Sequence, residues 1–68
     1  MLLDEMGFEV GDLVKFRFVF FNDATMIYLG RHADGDFIFW FTDEQRLMYM
    51  SPSRSEFKIV ARVRDVHA

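Results

Sequence analysis

The sequence predicts an all-β domain of five short strands. Runs of β-branched and aromatic residues alternate with polar ones from Phe8 onward, and Gly, Asn, Asp or Ser clusters separate the runs. Apolar residues make up 51% of the chain and nine are Phe, which supplies a core and excludes a disordered segment. At 68 residues the chain is one domain, spanning 1–68 with an N-terminal arm over 1–7. A chain this short buries only ~60% of its unfolded surface and sits near the lower limit for folding alone.

Each element has its own signal. Leu2, Leu3 and Met6 lie at helical spacing and Gly7 can stop a helix, so the segment reads as one helical turn or as a flexible arm. The first strand runs from Leu13 to Phe21 and ends at Asn22-Asp23, residues suited to a two-residue hairpin. The second covers Thr25 to Arg31, and Ala33-Asp34-Gly35 marks the next turn. The third covers Asp36 to Thr42, Asp43-Glu44-Gln45 is turn-like, and the fourth covers Arg46 to Met50. Ser51 to Glu56 breaks the pattern; Ser53 and Glu56 have capping-box spacing, which predicts a 3₁₀ turn there. The fifth strand runs from Phe57 to Arg64.

Three hairpins followed by a single turn before the last strand is the element order of an SH3-like small barrel, and the chain resembles that superfamily. The opening Phe8-Glu9-Val10-Gly11-Asp12-Leu13-Val14 resembles the first strand of KOW- and Tudor-type barrels. The chain is also similar to small barrels that phages encode. An OB-like barrel is the alternative fold, which usually has longer connections. The superfamily hosts protein, peptide, nucleic-acid and methyl-lysine binders, so the resemblance implies a binding module and leaves the ligand open.

Register decides which residues face inward, because a slip of one residue exchanges the two faces. Val14, Phe16, Phe18 and Phe20 form the inward set of the first strand. A two-residue hairpin at Asn22-Asp23 places Phe18 opposite Ile27 and Phe16 opposite Leu29. Two registers are open at Ala33-Asp34-Gly35. A two-residue turn buries Ile38 and Trp40; a three-residue loop with Gly35 in a bulge sets Leu29 opposite Phe39 and buries Phe37, Phe39 and Phe41. The second buries three Phe and is preferred. The same logic places Leu47 and Tyr49 inside, and the last strand contributes Phe57, Ile59, Ala61 and Val63.

The outward face of the middle strands then carries Met26, Tyr28, Ile38, Trp40, Met48 and Met50. Six large apolar groups side by side exceed what a lone soluble monomer usually shows, and such residues are enriched at interfaces. The expected partner is another protein or a second copy, a homodimer being the simplest case. Alternatively the arm, through Leu2, Leu3 and Met6, folds back over this face.

Charge suggests a second reading. The formal charge is −3, which disfavours nonspecific duplex binding. Yet Lys15, Arg17, Lys58, Arg62 and Arg64 fall at outward positions of the first and last strands, which pair in SH3-like barrels. Such a stripe suits an anionic guest, a nucleic acid or a nucleotide, with Trp40, Tyr28 and Phe21 as the exposed rings. Solvated charge on an outer face, neutralised by Glu9, Glu56 and Asp65, is the simpler explanation of the stripe.

Catalytic chemistry finds little support. The absence of Cys removes thiolate nucleophiles, zinc-thiolate sites and disulfides. His32 and His67 are far apart in sequence, and His32-x-Asp34-x-Asp36 reads as a polar hairpin tip rather than a metal site. Ser51, Ser53 and Ser55 suit turn and cap positions. No glycine-rich phosphate loop is present. The expectation is a cytoplasmic, non-enzymatic module without cofactor or metal, with no membrane-spanning run, acting as an adaptor or as an inhibitor of a larger protein.

Overall fold

The computed structural model describes residues 2–18 and 23–64. It holds a 3₁₀ turn η1 (Leu3–Met6) and strands β1 (Leu13–Phe18), β2 (Ala24–Arg31), β3 (Phe37–Phe41), β4 (Arg46–Met50) and β5 (Phe57–Val63). All pairings are antiparallel within one sheet of order β4-β3-β2-β1-β5. The expected β1–β5 pairing is present. No ladder joins β4 to β5 among the described residues, so the sheet has two edges. No helix among these residues is long and apolar enough to cross a membrane. The expectations for Phe20, Phe21, Asn22 and His67 lie outside the described residues.

One face of the sheet holds the core. Val14, Phe16 and Phe18 from β1, Ala24, Met26 and Tyr28 from β2, Phe37 and Phe39 from β3, and Met50 from β4 are buried there. Phe8, ahead of β1, packs across them, with ring centroids 5.5 Å from Phe39, 5.6 Å from Tyr28 and 6.1 Å from Phe16. Edge-to-face ring pairs of this kind add specificity to burial. Guanidinium groups roof the rim: Arg31 over Phe37, Arg54 over Phe18 and Arg62 over Phe8.

The N-terminal segment forms the helical turn, Leu3–Met6. Gly7, at φ 65°, ends it in the left-handed region. The Leu3 N–H donates to the Arg54 carbonyl at 2.9 Å and that of Asp4 to Pro52 at 3.0 Å. Leu3 is fully buried in the core cluster. The turn therefore packs on the inner side of the sheet and not over the outer face, because the link into β5 supplies its backbone partners. Before β5, where a 3₁₀ turn is expected, there is a single i→i+3 hydrogen-bonded turn, Arg54 N–H to the Ser51 carbonyl at 3.0 Å, which starts at Ser51 and not at a Ser53 cap.

Three registers differ from expectation. Between β1 and β2, Phe16 faces Ala24 instead of Leu29 and Leu13 faces Ile27, so β2 is turned over relative to β1. The β2–β3 hairpin closes as the preferred three-residue loop, with Arg31 opposite Phe37 and Gly30 opposite Ile38. Past it, a bulge at Leu29 shifts the ladder by one residue, and Tyr28, not Leu29, faces Phe39. Gly30 sits at φ 128°, which the bulge requires and other residues resist. The β3–β4 connection has four residues, Thr42 to Gln45, so Phe41 faces Arg46. That extra residue turns Met48 and Met50 inward and leaves Leu47 and Tyr49 exposed.

Candidate functional site

The register corrections redraw the outer face. Of the six residues expected there, Ile38 and Trp40 remain, both half-buried. Met26, Tyr28 and Met50 belong to the core and Met48 packs against it. Their sequence neighbours take their places on the outer side: Ile27, Leu47 and Tyr49.

The result is a row that crosses the whole sheet. Val63 pairs with Leu13, Leu13 with Ile27, Ile27 with Trp40, and Trp40 with Leu47. Directly paired residues point to the same face, and strands lie ~4.8 Å apart, so five apolar side chains line up over ~19 Å. Ile38 and Tyr49, themselves cross-strand partners, form a second row beside Trp40 and Leu47. Leu47 is 43% exposed and Tyr49 53%. The His32 ring meets Tyr49 edge-on at 5.6 Å, which ties the β2–β3 hairpin tip to this face.

The five expected cations divide into two groups. Lys15, Arg17 and Lys58 stand on the outer face, where Arg17 and Lys58 are direct partners and Lys15 faces Ala61. Arg17 is neutralised by Asp23 through Nε–Oδ1 at 2.8 Å, a contact that holds the Asp23 carboxyl below its usual range. Arg62 and Arg64 do not join the stripe. The shift in the β1–β5 ladder places Arg62 opposite Val14 on the inner side. Arg62 Nη1 donates to the Met6 carbonyl at 2.8 Å, and Arg64 Nη2 to that of Gly7 at 2.7 Å. Both converge on Asp12, a fully buried carboxylate that also accepts the Glu9 N–H at 2.9 Å. A buried carboxylate is tolerated only with such partners, so these two arginines fasten β5 and the N-terminal link together.

Elsewhere the polar groups brace turns. Asp34 accepts the Asp36 N–H at 3.0 Å and meets His32 Nδ1 at 3.1 Å; the backbone donor first, then His32, holds its carboxyl low. The Ser51 hydroxyl accepts the Ser53 N–H. A cleft of about 480 Å³ lies at the other end of the sheet, with Phe18, Ala24, Phe41 and Met48 as floor and Asp23, Asp43 and Glu44 on its rim. Arg17 and Arg46 neutralise two of those three acids.

The chain matches no protein-family model, no curated protein and no solved structure, so the reading of its role rests on this geometry.

Proposed function

We propose that the protein is a non-enzymatic binding module, an SH3-like small barrel in architecture, that docks another protein on its outer sheet face. The strand order β4-β3-β2-β1-β5 supports the architecture, since it joins first and last strands and ends in a short link between the two edges. The observation that carries the function is the unbroken row Val63–Leu13–Ile27–Trp40–Leu47. A folded domain this small has little apolar surface to spare, and a row across every strand on the side away from the core does nothing for its interior. Trp40, flanked by Ile27 and Leu47, is the anchor, because a half-buried Trp at the centre of an apolar patch is a usual hot spot of an interface. Lys15 and Lys58 at the β1–β5 side favour a partner that is apolar at its centre and acidic at one rim.

A nucleic-acid reading gains one observation: Trp40 and Tyr49 share a face with Lys15, Arg17 and Lys58, so stacking and phosphate contacts are available on one surface. Salt dependence separates the two. Association with a protein through the apolar row weakens little between low and moderate salt and is abolished by Trp40→Ala. Binding that collapses with salt and survives Trp40→Ala overturns the apolar-row reading in favour of the cations.

A further inference from the structure

The two sheet edges are built differently. At β5 the ladder is bulged between Ile59 and Ala61, and the strand carries Lys58 and the inward-facing Arg62, with Arg64 just beyond. A bulge and an inward charge are standard protections against further strand pairing. β4 has neither. Its ladder with β3 is regular from Arg46 to Met50, it contains no Pro or Lys, and Arg46 is its sole charge. No backbone group of β4 donates to or accepts from a described residue beyond its pairing with β3. A regular, largely apolar edge of this kind is a template for another strand.

From this contrast we infer that β4 pairs with β4 of a second copy about a two-fold axis at Met48. The occupant follows from self-complementarity. With Met48 opposite Met48 of the partner subunit, each Leu47 faces Tyr49 of the partner subunit on the outer side, an aliphatic–aromatic cross-strand pair formed twice. Each Arg46 faces Met50 of the partner subunit, which keeps the two guanidinium groups roughly 14 Å apart along the strands. A two-fold antiparallel pair satisfies the same backbone groups on both copies and closes, leaving only the protected β5 edges outward. The outer apolar row then continues from one copy into the next, so the dimer enlarges the docking face without occupying it.

The chain has no cysteine, so Met48→Cys gives a single thiol per copy. Directly paired Cα atoms lie ~4.5–5.5 Å apart, within disulfide range. Mild oxidation of Met48→Cys is expected to yield a covalent dimer near quantitatively, whereas Ser53→Cys, off the strand, does not. The unmodified chain is expected to sediment at twice its 8.1 kDa mass. Its β4 amides are expected to resist exchange at successive positions, where an unpaired edge protects only alternate ones. A chain that sediments at 8.1 kDa with alternate protection overturns the inference, and this readout needs no variant to fold. A dimer lost on Trp40→Ala but with unprotected outer β4 amides also overturns it and places the contact on the apolar face.

Discussion

Ile27 and Trp40 are direct partners across the β2–β3 ladder, while their sequence neighbours Tyr28 and Phe39 pair on the opposite side and are buried. Two consecutive cross-strand pairs thus divide the labour of the sheet: one builds the interior and the next builds the outer face. The strand pleat enforces this division, and it makes the two kinds of residue respond differently to substitution.

Phe39→Ala is expected to cost about 3–5 kcal/mol, because it removes a fully buried ring that contacts Phe8, Phe16 and Tyr28. Trp40→Ala is expected to cost less than about 2 kcal/mol, since its indole is only half-buried. Urea melts of the two variants check the contrast.

Asp12→Ala is expected to destabilise the fold by about 3 kcal/mol, leaving Arg62 without its buried partner and the Glu9 N–H unsatisfied. Arg64→Ala is expected to cost under about 1 kcal/mol, because Arg64 is half exposed and water replaces its contacts. Thermal denaturation monitored by circular dichroism ranks them.

Gly30→Ala is expected to destabilise by about 1–3 kcal/mol through backbone strain at φ 128°, not through crowding: the nearest atom to an added Cβ is Val10 Cγ2 at 3.8 Å. The amide spectrum of β2 and β3 is expected to shift around Leu29 while β5 is unchanged.

Acid stability carries a specific signature. Arg17 lowers the Asp23 carboxyl, and the Asp36 N–H followed by His32 lowers that of Asp34. A depressed folded pKa means that the unfolded chain binds protons first as pH falls. These contributions are complete above the unfolded carboxylate pKa near ~4 and are lost as pH drops through the lower folded values. Asp23→Asn is therefore expected to reduce stability at neutral pH slightly and to flatten the loss below pH ~4, as urea titrations at several pH values will show.

The strand positions were legible because each is an alternating run closed by turn residues, and the three-residue loop at Ala33-Asp34-Gly35 was legible from its X-Asp-Gly pattern. The site was legible only through Trp40 and Ile38, both of which lie on β3 next to that loop. Its other members depend on two irregularities that leave weak local traces. Gly30 signals conformational freedom but does not fix where a bulge falls, and Gln45 takes φ 51° without the glycine that would announce it. The extra residue at Gln45 exchanges Met48 for Leu47; the β1–β2 register exchanges Tyr28 for Ile27, and the bulge at Leu29 then keeps Phe37 and Phe39 inside. Arg62 was misplaced for the same reason, through the shift in the β1–β5 ladder.

Photo-crosslinking from position 40 tests the docking face. With benzoylphenylalanine in place of Trp40, irradiation in expressing cells is expected to yield adducts to a protein partner, and the same probe at Ser53 is expected to yield none. Adducts from Ser53 but not from position 40, or nucleic acid as the species captured at position 40, would contradict it.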